Sequence, residues 1–233
     1  MGIPALGMTH RHAPRLPLLA AAGACLLLTS GAAHGSENRL IRTDRHVVAL
    51  TFNAAWTDTG LDRILAALDR RDAPATFFLT GRFAERNPRV VRKIAAAGHG
   101  LGNHSHSHPR FKEVSASERR RDAYFRFPYS QTSPAHIREV NRLGFAALES
   151  TTDTGGWKGT KDGMNVGKAV NTALDALRPN AILQMHVGTS SGNGKVIDAE
   201  ALPRILDAFA ARGYRVIDLR CLYEERCRRS VKE

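Results

Sequence analysis

Val47-Val48-Ala49-Leu50-Thr51-Phe52-Asn53 is a short, mostly apolar run that ends on a polar residue. It is followed by Leu61, Ile64, Leu65 and Leu68 on one helical face, and then by a second short run, Ala75-Thr76-Phe77-Phe78-Leu79. Apolar runs of about four to eight residues bounded by turn signals read as buried strands, and apolar spacings of three and four read as an amphipathic helix. Strand, helix, strand in that order makes a parallel pair joined by a crossover. The same alternation continues outward, with strands expected at 47–52, 75–79, 99–103, 124–127, 145–149, 181–186 and 215–219. Between them lie helical faces carrying Val90, Val91 and Ile94; Ile137, Val140 and Leu143; Val170, Leu174 and Leu177; and Leu202, Ile205, Leu206 and Phe209. Pro88 and Pro203 suit the first turn of a helix, and Gly98, Gly144 and Gly213 suit the position after a helix end. Seven strands favour an α/β fold of the distorted (β/α)7-type barrel over an open doubly wound sheet. No glycine-rich phosphate loop follows the first strand, so nucleotide binding loses its support.

The chain has 233 residues, with 34 Lys+Arg against 22 Asp+Glu for a formal charge of +12, and 42% of its residues are hydrophobic. That length can bury a full core without staples, and that apolar content argues against disorder. Arg11 and Arg15, the apolar run 16–28 and the small residues Ser30, Gly31, Ala32, Ala33 and Gly35 follow the positive, apolar, small order of a secretory signal peptide. As a membrane span the run is short, and it holds Pro17. Residues 1–35 are therefore read as a signal peptide cleaved between Ala32 and Ser36, and the protein is expected to be secreted or in the cell envelope. Lipid attachment at Cys25 is the less favoured option, because Leu26, Leu27 and Leu28 continue the apolar run beyond it. Losing 1–35 removes two arginines and no acid, so the remaining 198 residues keep 32 basic against 22 acidic side chains. Those basic residues are dispersed over many helices with no nucleic-acid module, so anionic wall polymers are the expected attraction and nucleic acid is not. Cys221 and Cys227 lie near the C-terminus, where an oxidising exterior permits a bridge; two unpaired thiols are the equal alternative.

In a parallel α/β fold the chemistry gathers at the C-terminal ends of the strands. Those ends carry Asn53, then His104, His106 and His108, then Arg126 with Pro128 and Tyr129, then Asp153 and Trp157, then His186. His104 and His108, four residues apart in a loop or helical turn, could share one divalent metal. A catalytic zinc needs about three protein ligands and an open position, so two histidines are an incomplete set. His106 has the wrong spacing for joint ligation and reads as a surrounding or surface residue.

At these residues the chain resembles the polysaccharide deacetylases of the NodB-homology family (carbohydrate esterase family four), over residues 45–219. Thr51-Phe52-Asn53-Ala54 is similar to the family's Thr-Phe-Asp-Asp, and His104 to His108 to its His-Ser/Thr-x-x-His. Arg126-Phe127-Pro128-Tyr129 is similar to its arginine-proline-aromatic motif, Asp153 to Trp157 to Asp-x-x-Asp-Trp, and Leu183-Gln184-Met185-His186 to Leu-x-x-His. The resemblance implies a deacetylase domain at 45–220, with a basic tail at 221–233. It also implies hydrolysis of an N- or O-acetyl group on a polysaccharide or peptidoglycan, assisted by a divalent metal such as zinc on His104, His108 and an Asp. On this pattern His186 protonates the leaving group, Arg126 orients the base, Asp153 belongs to the catalytic set, and Tyr129 and Trp157 wall the sugar pocket. Core or rim packing is the plain alternative for those two aromatics.

The departures from the pattern bear directly on activity. Asn53 stands at the base position, and a neutral amide cannot accept a proton. Removing a general base costs on the order of a hundredfold to ten-thousandfold in rate. Ala54 stands at the third ligand position, and Gly156 at the second acid of the fourth motif. Asp58 could swing in to replace a carboxylate, although its place ahead of Leu61 suits the start of a helix better. The sixteen positions 110–125 are about half of what the resemblance implies between these two motifs, so either one barrel helix is shortened or an internal piece of the sequence has been lost. Two functions are therefore expected: a secreted polysaccharide deacetylase-like hydrolase, or a catalytically impaired glycan-binding protein on the same scaffold.

Overall fold

The computed structural model describes residues 45–108, 124–190 and 194–222. The leader at 1–35, the stretch 109–123 where a helix is expected to be shortened, and Cys227 with the rest of the tail lie outside the described residues.

In chain order the elements are β1 (Val47–Ala54), α1 (Leu61–Asp69), β2 (Thr76–Leu79), α2 (Gly81–Arg86), α3 (Pro88–Ala96), β3 (Gly100–Asn103), β4 (Tyr124–Phe125), α4 (Pro134–Arg142), β5 (Ala146–Ala147), β6 (Thr152–Asp153), α5 (Val166–Asp175), β7 (Ala181–His186), α6 (Ile197–Ala211) and β8 (Arg215–Ile217). All pairings are parallel, in the order β5-β4-β3-β2-β1-β7-β6, with β8 also on β1. β1 is the hub. One of its edges pairs with β7 from Val48 to Asn53; the other takes β8 at Val47–Ala49 and then β2 at Thr51–Ala54.

β5 and β6 occupy opposite ends of this path, yet they are adjacent in sequence. Leu148 still bonds to Phe125 on the β4 side, and Thr151 already bonds to Ile182 on the β7 side. Three peptide steps span at most about 11 Å, so the covalent chain itself brings the two ends of the sheet together. The sheet curls into the expected distorted barrel, closed at this seam by Glu149 and Ser150.

Side-chain alternation along β1 separates two environments. Val48, Leu50, Phe52 and Ala54 join the core beneath the helices, with Leu61, Ile64, Leu68, Phe77, Leu202 and Ile205 among their neighbours. Val47 and Ala49 face inward and pack with Phe78, Leu148, Ile182 and Leu219. Above them on the inward face come Thr51 and Asn53, so the barrel interior changes from apolar to polar toward the C-terminal ends of the strands.

Several expected boundaries shift. The strands at 124–127 and 145–149 contract to two residues each, and β6, also two residues long, was not expected because so short a run carries no periodic signal. α2 was not anticipated either; its N-cap is Thr80, whose side chain accepts from Phe83 N. Pro88 does open α3, but Pro203 lies inside α6, which begins at Ile197. The bond lost at that proline is offset by burial of Ile197, Ala199, Ala201 and Leu202 in the extra N-terminal turns. Cys221 is disulfide-bonded.

Candidate functional site

A cavity of about 210 Å³ opens at the C-terminal ends of the strands, with Asn53, His104, His108, Asp153, Gln184 and His186 in its lining. Tyr129 and Trp157 also line it, and so does Trp56, which sequence reasoning missed. Two larger depressions of about 500 Å³ and 490 Å³ lie near Arg215, which pairs with Val47 at the start of β1, the opposite end from these polar groups. The small cavity is therefore the candidate site.

Arg126 is its foundation. The side chain is 1% exposed, lies 4.2 Å over the Phe78 ring, and donates from one terminal nitrogen to Thr51 Oγ1 (2.9 Å) and Asn53 Oδ1 (3.1 Å). Its Nε and other terminal nitrogen have no hydrogen-bond partner. Burial lowers its pKa to about 10, with partial relief from Glu149 and Asp153. Arg126 thus binds Asn53, the residue at the position that the resemblance assigns to the base, and what it binds is an amide. With Oδ1 turned to Arg126, Asn53 has its NH2 group left to present to the cavity, so a donor stands where the resemblance implies an acceptor.

The histidine loop is tied to the barrel at both ends. His104 N donates to Leu79 O, and Gly81 N and Arg82 N donate to Ser105 O and His106 O. Asn103 Oδ1 accepts from Ser105 N, and Ser105 Oγ from His108 N. Of the six non-glycine residues at positive φ among the described residues, Ser105 and His108 lie on this loop and Tyr129 and Ser130 on the turn Pro128–Ser130 beside it, a concentration of backbone strain at the site. His104 Nδ1 lies 2.9 Å from Arg126 O and so carries its proton there; its Nε2 lies 3.2 Å from His108 Nε2. The two imidazoles are therefore mutually hydrogen-bonded and neutral. Burial, then the neighbouring His108, holds His104 well below the usual histidine range, and burial lowers His108 to about 4.

This donor set does not fit a three-ligand metal centre. Ala54, at the third ligand position, is 1% exposed, belongs to the helix-side core and does not line the cavity. Among the described residues no group of three His, Cys, Asp or Glu could hold a metal ion. Asp58 does not replace the missing carboxylate: it is exposed, and its carbonyl closes the turn onto Leu61. His106 sits outside the pair, with Nδ1 3.9 Å from Glu85.

The opposite wall is formed by His186, Asp153 and Asp198. His186, at the end of β7, has side-chain exposure of only 12% and a buried Nδ1 lying 3.6 Å from Asp198 Oδ2 and 3.8 Å from Asp153 Oδ1. Asp153 accepts from Gly155 N (2.8 Å) and Gln184 Nε2 (3.0 Å). Asp198, from the first turn of α6, accepts from Thr154 Oγ1 (2.7 Å) and His186 N (2.8 Å) and is completely buried. Nothing in the sequence pattern singled out Asp198, which lies far from any strand end in the chain.

Aromatic rings frame the mouth. His108 lies between Trp56 (4.9 Å, tilted) and Tyr129 (4.7 Å, edge-on), the two exposed large hydrophobics among the described residues. Trp157 faces His186 at 6.3 Å, its carbonyl fixed by Ser190 and Thr189.

Residues 41–124 match the family described as polysaccharide deacetylase. Over that stretch the chain is similar to that family. A peptidoglycan-N-acetylglucosamine deacetylase of Bacillus cereus is 26% identical over 193 residues, covering 76% of this chain and 68% of the relative. A chitooligosaccharide deacetylase of Azorhizobium caulinodans is 25% identical over 199 residues, covering 75% and 93%. Among solved structures, a carbohydrate esterase family four pseudoenzyme from Bacillus anthracis superposes with a TM-score of 0.71 at 26% identity, over 82% of this chain and 70% of that one. A mutant of that pseudoenzyme with restored enzymatic activity gives the same TM-score at 25% identity, over 82% and 72%. The motif resemblance and the family match thus point the same way, and the barrel matches that of the solved family-four structures.

Proposed function

We propose that this deacetylase-family member binds an acetylated glycan of the peptidoglycan or chitooligosaccharide class in the Asn53–His186 cavity, and that metal-assisted deacetylation is lost or severely reduced. The observation that carries the reading is the Arg126–Asn53 pair beside Ala54. Family deacetylases are metal-dependent, whereas here the base position is a donor and the third ligand position is a methyl group. The same changes suit binding: an Asn53 NH2 aimed into the cavity can donate to an acetyl carbonyl, and Trp56, Tyr129 and Trp157 offer apolar faces to sugar rings. Relatives named for peptidoglycan and chitooligosaccharide substrates, and a pseudoenzyme with the same fold, support this reading. The leader-like composition of residues 1–35 supports an export address next to such a polymer.

The hydrolase reading retains one specific observation, the His186–Asp153–Asp198 wall. Zinc content, acetate release and calorimetric binding of acetylated chitooligosaccharide separate the two. The binding reading expects glycan uptake without acetate release, and both zinc and turnover gained in Asn53→Asp/Ala54→Asp and lost again on His186→Ala. Acetate release by the native protein that His186→Ala abolishes establishes the hydrolase; no glycan uptake at all refutes the binding reading.

A further inference from the structure

Gly156 stands where the family pattern has the second acid of its fourth motif, and its backbone is not in the left-handed region that would require glycine. The reason for glycine lies across the barrel. A Cβ at position 156 would fall 2.2 Å from Asp198 Oδ1, 2.3 Å from its Cγ and 2.6 Å from Oδ2. No carbon approaches so closely, so the Asp198 carboxylate fills the volume in which a side chain at 156 would begin. The two positions are thereby coupled: no side chain stands at 156, and the carboxylate of Asp198, from a different element, occupies the same space.

We infer that Asp198 has taken over the role of the missing fourth-motif acid and is the positioning residue of His186. Its carboxylate grips His186 twice, accepting the main-chain N–H at 2.8 Å and facing ring Nδ1 at 3.6 Å. Thr154 Oγ1 fixes its other oxygen at 2.7 Å. The remaining groups facing that ring edge are Asp153 at 3.8 Å and, across the cavity, the two neutral histidines of the rim loop. Two carboxylates beside a buried Nδ1 favour the tautomer protonated at Nδ1, which leaves the Nε2 edge for a ligand in the cavity. Pro203 fits the same account. α6 must start six residues before its proline to carry Asp198 into place, and those turns are held by buried residues and by the Asp198 contacts. One wall of the site has thus been rebuilt from a new element, while the base and third-ligand positions opposite it are occupied by Asn53 and Ala54.

The inference rests on His186 as the cavity-facing group, and its test is read without glycan, so its failure is distinguishable from failure of the binding proposal. In the full chain, the ring-nitrogen NMR signals of His186 at neutral pH should show the Nδ1–H tautomer. Asp198→Asn should shift them to a mixture of tautomers, and Gly156→Asp/Asp198→Ala, which returns the carboxylate to position 156, should restore the native signals where Asp198→Ala alone does not. A purely structural Asp198 would leave the His186 signals of every folded variant unchanged. Thermal melts supply the steric half: Gly156→Ala should lower the melting temperature with Asp198 present and cost little in the Asp198→Ala background. Unchanged His186 signals in Asp198→Asn, a double variant whose signals remain those of Asp198→Ala, or a Gly156→Ala variant as stable as the native protein would each overturn the inference.

Discussion

Asn53→Asp should make the protein more stable at neutral pH, although it places a charge in a site that is only 6% exposed. The reason is that a charge is already there. Arg126 is a buried cation held by two neutral oxygens, and its depression to about 10, caused first by burial, corresponds to roughly 3 kcal/mol against the charged form. A carboxylate at the position of the Asn53 amide would accept from the same guanidinium nitrogen, now 3.1 Å away, and could also engage a donor that lacks a partner. Exchanging the guanidinium's bond to a neutral amide for one to a carboxylate is worth about 1–2 kcal/mol net of desolvation. For a chain of this length that is a rise of about 3–6 °C in melting temperature. The new Asp would titrate below its ordinary value of about 3.9. The gain is therefore complete above that value and disappears as the pH falls through the depressed one. Paired melts of native and variant at pH 7 and near pH 2.5 test this. A lower melting temperature in the variant at pH 7 would refute the unpaired-cation argument, and a gain undiminished in acid would show that its source is not the charge.

Trp56→Ala should weaken binding of acetylated chitooligosaccharide by about 5–30-fold, or ~1–2 kcal/mol, with little change in melting temperature because the ring is 46% exposed; equal affinity by calorimetry would remove Trp56 from the site. Acid should destabilise the fold through its buried histidines. The unfolded chain takes up protons near 6.5 while His108 resists until about 4, so stability should fall across that interval, and His108→Gln should flatten the curve in pH-dependent melts. Gly102→Ala should cost about 1–3 kcal/mol, since its Cβ would meet the Phe78 ring at 2.8 Å and press on the surface that carries Arg126; a denaturation midpoint within error of native would contradict this. Chelators should leave the melting temperature of the native protein unchanged, because its two rim histidines already satisfy each other; a drop of several degrees would expose a resident metal.

What could be read from the chain in advance was whatever left a periodic or compositional trace. Val47–Phe52 and Ala181–His186 are buried on both faces and so are mostly apolar; their strands emerge within two residues of expectation. Short strands escape because two residues such as Thr152 and Asp153 have no period, and their pairing is imposed by β7. The site residues at strand ends were visible because a polar or aromatic residue interrupts an apolar run there, as at Asn53, His104, Arg126 and His186. Trp56 and Asp198 were not. Trp56 sits in a polar turn beside ordinary loop residues, and Asp198 reads as a common first-turn acid of a helix. Its significance depends on a contact across 42 positions of sequence with a glycine that looked merely like a loss. Pro203 misled for a related reason: propensity places proline at a helix start, and tertiary burial overruled it.

The seam at Glu149 and Ser150 sets a limit on how far the cavity can open. The His104–His108 wall and the His186–Asp198 wall belong to opposite halves of the sheet, meeting at the hydrogen-bonded hub β1 on one side and at a few backbone atoms on the other. Hydrogen bonds can breathe, but a chain of fixed length cannot stretch. The separation of the walls is therefore a tether length written into the sequence, and a two- or three-residue insertion at this point would widen the specificity of the pocket without altering any residue that lines it.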